Sequence, residues 1–274
     1  MTGGRFVKHV RLWRSKLRPR GAIPAFWHIG RPNFGDDINP AYWEWLGGRP
    51  VRFASDRTRP HLLGIGSILD RASSNSIVVG SGFLRPEDRA THKPLAVIAL
   101  RGELSFNALG DAEDALLGDP LVLCDRFVPR TAKRFRLAWV PHVTSIDAAR
   151  GRAGREIHVI DPTGDPWQVI VDIAASELVM SQSLHGLIIA DAFAIPNLWI
   201  APSPAMIGGR FKFDDYFSTL DAPKPMLPEN GDLIARPPLD AFSVGRYRFD
   251  KDVYAARMKA SLDEWANRLR EGRA

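Results

Sequence analysis

The sequence predicts an α/β protein of two Rossmann-like domains facing a cleft, and three observations carry that prediction. Short apolar runs end repeatedly in loops containing Gly or Arg, as buried parallel strands do. Stretches of helical spacing alternate with them, which implies parallel sheets covered by helices on both faces. The series then restarts near Leu137, after a basic stretch containing Pro129. A chain of 274 residues exceeds a typical single domain of ~100–200 residues, so two units are expected.

Residues 1–22 read as a basic amphipathic segment. Phe6, Val10, Trp13 and Leu17 fall within about 60° of one another on a wheel of about 100° per residue. Arg5, Lys8, Arg11, Arg14, Lys16 and Arg18 take the rest of that wheel. This composition suits a helix lying on an anionic membrane surface, where each basic residue contributes ~1 kcal/mol. A helix docked on the protein's own core, or a nucleic-acid arm, would show the same stripe. A signal peptide fits less well: the apolar part Gly21–Ile29 is short, contains Pro24 and leads to no small-x-small cleavage site.

The N-terminal domain is expected over residues 23–130. Its strands are Ala25–Ile29, Leu62–Ile65, Ser76–Val79 and Leu95–Leu100, with helical spacing over Asp37–Leu46 and Glu103–Leu109. Arg126–Arg136 reads as the linker. In the C-terminal domain, residues 131–274, strands are expected at Leu137–Val140, Glu156–Ile160, Leu178–Met180 and Leu198–Ile200, and helices at Pro166–Ala175 and Leu184–Ala194. The proline-rich stretch Ala222–Pro238 reads as a loop. The domain ends in a helix, Lys251–Arg270, whose Leu262, Trp265 and Leu269 share a face and should pack on one of the halves.

Apolar residues make up 45% and charged residues 25%, which excludes a disordered chain. The formal charge is +6, but residues 1–35 hold eight basic side chains and no acid, so residues 36–274 carry −2. The basicity that would otherwise suggest a nucleic-acid partner therefore belongs to the N-terminal end, and no nucleic acid is expected. A single cysteine, Cys124, can form no internal disulfide, which favours a cytoplasmic setting. No apolar run reaches the ~18 residues of a membrane span.

Four clusters can carry chemistry. In Asn33-Phe-Gly-Asp-Asp37, after the first strand, Gly35 permits close backbone approach to a ligand, and Asp36 is a helix cap or a base. The glycine loops Gly64-Ile-Gly66-Ser67 and Gly80-Ser81-Gly82 complete neither a dinucleotide fingerprint nor a Walker motif, yet their amides can face a ligand. Arg101, the only charge at the end of its strand, is placed to bind carboxylate or phosphate, or else to pair with Glu103 or a nearby acid at the surface. In Ser181-Gln-Ser183-Leu-His185-Gly186 a strand runs into a helix. Ser183 should cap that helix, whose first amides face any anion, and His185 sits in the first turn as a catalytic or a structural histidine.

Taken in order, Asn33-x-Gly35-Asp36, Gly64-x-Gly66, Arg101-Gly-x-x-Ser105, Gly118-Asp-Pro120, Pro141-His142 and Ser181-x-Ser-Leu-His-Gly186 resemble the polysaccharide pyruvyltransferase family. Ile195-Pro196 and Lys212-Phe-x-Asp-Tyr216 continue the likeness, which covers most of residues 25–220. The branch most resembled adds pyruvate ketals to exopolysaccharide repeat units. The resemblance implies phosphoenolpyruvate as donor, a sugar diol, on a lipid-linked oligosaccharide, as acceptor, and a two-domain fold like that of GT-B glycosyltransferases. Such an enzyme would work as a peripheral protein at the cytoplasmic face of the membrane. Many relatives carry Arg-Leu-His where Ser183-Leu184-His185 stands, and Arg101, Arg210 or Lys212 would have to supply that charge.

Ketal formation needs a proton on the donor's methylene carbon, attack by one hydroxyl at C2, and a second attack that expels phosphate. His185, whose intrinsic pKa near ~6.5 is lowered by the helix dipole and raised again by a bound polyanion, is the expected acid. Arg101 and Lys212 would neutralise carboxylate and phosphate, and Asp36 would orient or deprotonate the acceptor. Asn33, Gly35, Gly66, Ser67, His142, Ser181, Ser183 and Arg210 complete the expected substrate-binding set. No Cys/His metal spacing occurs, so no metal or other cofactor is expected. A nucleotide-sugar glycosyltransferase would share the cleft, and a non-catalytic component of polysaccharide assembly would share the basic helix.

Overall fold

The computed structural model describes residues 21–203 and 206–271. The amphipathic stripe read in the sequence at Phe6–Leu17, with its basic face, lies outside the described residues. Two parallel sheets form the scaffold. The first contains β1 (Ile23–Phe26), β2 (Val51–Phe53), β3 (His61–Leu63), β4 (Ser76–Ser81), β5 (Ala96–Leu100) and β6 (Leu116–Leu117), in the order β2-β1-β3-β4-β5-β6. The second contains β7 (Phe135–Val140), β8 (Ile157–Val159), β9 (Ser176–Ser181), β10 (Asn197–Ile200) and β11 (Met226–Leu227), in the order β11-β10-β9-β7-β8. Every pairing in both sheets is parallel, so the expected α/β class with two parallel sheets is what forms.

The central strands are the apolar runs of the sequence. All six residues of β4 and all four of β10 are buried, as strands covered on both faces must be. Connecting helices in the first half are α1 (Phe34–Asp37), α2 (Asn39–Gly47), α3 (Glu103–Leu109) and α4 (Cys124–Phe127), with a 3₁₀ turn at Pro120–Leu123. The second half supplies α5 (Ile146–Arg152), α6 (Pro166–Ala174), α7 (Leu184–Ala192), α8 (Phe211–Phe217), α9 (Gly231–Ala235) and α10 (Lys251–Glu271). The start of α6 shows how the sequence sets a boundary: Asp165 caps the amides of Trp167 and Gln168, and Pro166 takes the first turn, where its missing N–H costs nothing.

Three expectations are corrected. The first strand ends at Phe26 rather than Ile29, which leaves His28 in the loop leading to the site. The stretch Ala222–Pro238 is not all loop: it holds β11 and α9, the latter capped by the Asn230 side chain on Asp232 N. The link between the sheets is shorter than Arg126–Arg136, because α4 reaches Phe127 and β7 begins at Phe135. The terminal helix α10 packs on one of the halves, as expected, and that half is the N-terminal one: Tyr254 donates to Gly118 O (2.8 Å), Arg257 to Asp114 O (3.2 Å), and Asn267 accepts from Arg49 (3.2 Å).

The two halves share one core. Helix α7 has all nine residues buried, with its Asp191 carboxylate paired to Lys224 (3.0 Å), and packs on the Pro120–Leu123 turn of the other half. Among the described residues, no helix is long and apolar enough to cross a membrane.

Candidate active site

A cavity of about 400 Å³ lies where the carboxyl ends of both sheets meet. The first half contributes His28, Asn33 and Asp36 after β1 and Ser67 after β3. His142 follows β7, Ser183 and His185 follow β9, and Lys212 comes from α8.

The β9–α7 turn is built by its own serines. Ser181 is fully buried, donates to Ser183 O (2.8 Å) and accepts from Ser183 N (3.0 Å), so it shapes the turn and does not face the cavity. Ser183 occupies the cap position of α7, but its hydroxyl makes no capping bond. The expected cap is therefore absent, and the hydroxyl lines the cavity beside the first turn of the helix.

His185, in that first turn, is 8% exposed. Its Nε2 lies 3.8 Å from Asp119 Oδ2, and its Nδ1 side faces the Asn33–Asp36 turn of the other half. Burial, then the nearby Lys212 and Arg101 cations, pull its pKa down to about 3. The lowering expected for a first-turn histidine is thus present, but burial and the two cations produce it, and the ring is neutral near pH 7.

The cap of α1 is Asn33, not Asp36. Asn33 Oδ1 accepts from Gly35 N (3.3 Å), while its Nδ2 donates to Asp36 Oδ2 (3.1 Å). Gly35 has to be glycine, because a Cβ there would overlap His185 Nδ1. Gly35→Ala should displace the ring and cost about 1–3 kcal/mol by overpacking, read as a fall in the urea midpoint together with loss of turnover. An unchanged midpoint and rate would show that the contact is loose. Gly66, at φ +129°, brings the loop before Ser67 close to the Asp36 carboxylate.

Lys212 is half-buried, and its ammonium lies 5.3 Å from the Phe213 ring. Burial and the Arg101 charge lower its pKa to about 8, against an opposing pull from Asp36. The His142 pKa falls to about 4, first through burial and then through Lys212 and Arg31, and its Nδ1 meets Thr144 Oγ1 at 2.7 Å. The cavity lining therefore combines the cations Lys212, Arg71 and Arg85 and the carboxylates Asp36, Asp70 and Asp88 with three histidines and several hydroxyl and amide groups.

Two predicted cations lie elsewhere. Arg101 is 1% exposed and does not line the cavity. Its guanidinium is taken by Asp215 (Nε 2.9 Å, Nη2 2.8 Å), by Ser67 Oγ (2.7 Å) and by Phe83 O, while Glu103 pairs with Arg248 instead (3.0 Å). Arg101 thus stands one layer behind the wall and reaches the site through Ser67. Arg210, 62% exposed, is held by Asp214 of its own helix (2.7 and 2.9 Å) and is not a lining residue.

Sequence reasoning passed over His28, Arg71, Arg85 and Asp119. Arg71 and Arg85 are exposed side chains at the cavity; they stand in loops without a motif, so no local pattern marks them. Asp119 was legible in part, since it belongs to Gly118-Asp-Pro120. It caps the 3₁₀ turn through Oδ1 on Leu121 N (2.9 Å), and burial lifts its carboxyl to about 7.

Fold and site together define an α/β protein with a polar cleft where two parallel sheets meet. The chain belongs to the polysaccharide pyruvyl transferase family, whose model matches residues 33–204 and so spans the site from Asn33 to Ser183 and His185. It is 33% identical over 211 residues to the succinoglycan biosynthesis protein ExoV of Rhizobium meliloti (strain 1021), covering 72% of this chain and 64% of that protein. The chain thus spans a little under two thirds of that relative's length. It is 25% identical over 222 residues to the uncharacterized protein L143 of Acanthamoeba polyphaga mimivirus, covering 73% of this chain and 75% of that one. A crystal structure of an uncharacterized Klebsiella pneumoniae protein aligns with 79% of this chain and 94% of its own, at 12% identity and a TM-score of 0.43.

Proposed function

We propose that this protein transfers the pyruvyl group of phosphoenolpyruvate to a sugar diol of an exopolysaccharide repeat unit, forming a ketal and releasing phosphate. The observation that carries this reading is a buried histidine and a lysine in one small cavity at the start of α7, the histidine inside the segment that matches the family and Lys212 eight residues past its end. The acceptor would be lipid-linked, and the enzyme would work at the cytoplasmic face of the membrane with its basic N-terminal end toward anionic headgroups. The boundary between its domains is placed near residue 130, and the pair of sheets around one cleft is taken as a GT-B-like arrangement. No metal or cofactor enters the scheme.

Lys212, the Ser183 hydroxyl and the first amides of α7 would hold the donor's phosphate and carboxylate. Their negative charge offsets the Lys212 field that keeps His185 neutral, so donor binding raises the proton affinity of the ring where the proton is needed. His185 then protonates the methylene carbon, turning CH2 into CH3 and leaving C2 electron-poor. One hydroxyl, oriented by Asp36, attacks C2 and loses its proton. The second hydroxyl replaces the phosphate at C2, and its proton leaves with that phosphate.

Thermal unfolding with ligands tests the donor. Phosphoenolpyruvate should raise Tm, and a nucleotide sugar should not. Lys212 is charged below its pKa of about 8 and neutral above it, so the shift should shrink as pH rises through 8 and vanish in Lys212→Met. Protection by the nucleotide sugar alone would replace this reading with glycosyl transfer, and protection by neither would leave a binding role.

A further inference from the structure

Asp119 is a buried carboxylate behind the cleft that the scheme above does not use. It is fully buried, and only one of its oxygens is satisfied: Oδ1 caps Leu121 N, whereas Oδ2 has no hydrogen-bond partner. An orphaned carboxylate oxygen in a dry interior is costly unless it carries or receives a proton. The neighbouring donors are committed elsewhere. Tyr42 on α2 donates to Pro120 O, and Tyr254 on α10 donates to Gly118 O. Burial raises the pKa of both tyrosines and of Cys124, so none of the three ionises to compete. Arg101 and Asp215 act on Asp119 with opposite signs and are paired with each other. The group that faces Oδ2 within ion-pair distance, among the described residues, is His185 Nε2 at 3.8 Å.

The two residues come from different halves of the molecule. Asp119 precedes the Pro120–Leu123 turn, His185 opens α7, and those elements pack on each other. The ring is held between Asp119 on its Nε2 side and Gly35 on its Nδ1 side.

We propose that Asp119 is the positioning residue for His185, sharing one proton between its Oδ2 and Nε2 so that the ring holds its hydrogen on Nδ1, the side toward the Asn33–Asp36 turn that lines the cavity. The role of the ring in transfer rests on the reading of His185 as the acid; the pairing itself does not. Sharing the proton requires the 3.8 Å separation to close to hydrogen-bond length by a small turn of the ring, as catalytic hydrogen bonds tighten when substrate binds. The proton count closes. Asp119 holds its proton near neutral pH, its carboxyl being raised to about 7. As Nδ1–H protonates the methylene carbon, the Asp119 proton passes to Nε2, leaving a carboxylate and a neutral ring with a free Nδ1 lone pair. The first attacking hydroxyl gives its proton to Nδ1, Nε2 returns its own to Asp119, and the pair is restored.

The test reads the ring directly. In the full-length protein labelled with ¹⁵N-histidine, His185 should hold its proton on Nδ1 below pH 7. It should move toward the Nε2–H form as pH rises through about 7 and the Asp119 carboxyl ionises. Asp119→Asn keeps the cap on Leu121 and can offer an N–H to Nε2 but cannot pass a proton, so this pH step should disappear. Phosphate release from phosphoenolpyruvate should fall about a hundredfold in kcat with KM little changed. Asp119→Ala, which also removes the cap, should lose the step too, and the urea midpoint separates that from unfolding. An unchanged pH step in a folded Asp119→Asn overturns the proposal. Loss of the step in a protein whose wild type never releases phosphate would uphold the pairing and reject pyruvyl transfer.

Discussion

Arg101→Met should lower the free energy of unfolding by about 3–5 kcal/mol, the usual cost of removing one partner from a buried ion pair. Arg101 and Asp215 have side chains 1% and 0% exposed, and the pair joins the end of β5 in the first half to α8 from the second. Without the guanidinium, Asp215 keeps only the hydrogen bonds from Ser105 N (2.8 Å) and Ser105 Oγ (2.6 Å). Phe83 O and Ser67 Oγ lose a donor as well. Arg101→Lys should recover little, because an ammonium cannot reach three acceptors in the planar fork that a guanidinium provides. Arg101→Met combined with Asp215→Asn should recover part of the loss, since no charge is then stranded. Urea denaturation of the four proteins measures this. A loss below 1 kcal/mol in the single variant would mean that water reaches Asp215 and that the pair is no staple.

His185→Ala should reduce phosphate release from phosphoenolpyruvate by about 10²–10⁴-fold, the usual contribution of a placed acid. Donor binding should survive, because Lys212, Ser183 and the first turn of α7 remain. The split between the two is the informative part: a Tm shift with phosphoenolpyruvate close to that of the wild type, together with lost turnover, assigns His185 to the chemical step. Loss of the Tm shift would place it in donor binding, and full turnover would remove it from the mechanism.

The lesson about legibility lies in which signals are local. Strands such as β4 and β10 were readable because burial on both faces forces an unbroken apolar run. β2, β6 and β11, of two or three residues each, were not read, whereas the equally short β3 and β8 were. The rule that ligands sit at the carboxyl ends of parallel strands gathered Asn33, Asp36, Ser67, His142, Ser183 and His185 into one cavity. The same rule failed for Arg101. It places a residue at the edge of the cleft but says nothing of side-chain direction, and Asp215, which turns the guanidinium inward, stands far along the chain. Arg210 misled for the opposite reason: its partner Asp214 was four residues away and visible. The neutrality of His185 and the raised carboxyl of Asp119 come from burial, which only the packing of α7 on the Pro120–Leu123 turn creates.

The central claim is that this cleft takes a pyruvyl group from phosphoenolpyruvate and places it on a sugar. It is tested most directly by incubating the full chain with phosphoenolpyruvate and a panel of lipid-linked oligosaccharides and weighing the products. The account predicts that one acceptor gains the mass of one pyruvate less one water, with one phosphate released per gain and neither seen with His185→Ala. An acceptor that gains a hexose from a nucleotide sugar, or a panel left unchanged by a protein that binds it, would contradict the account.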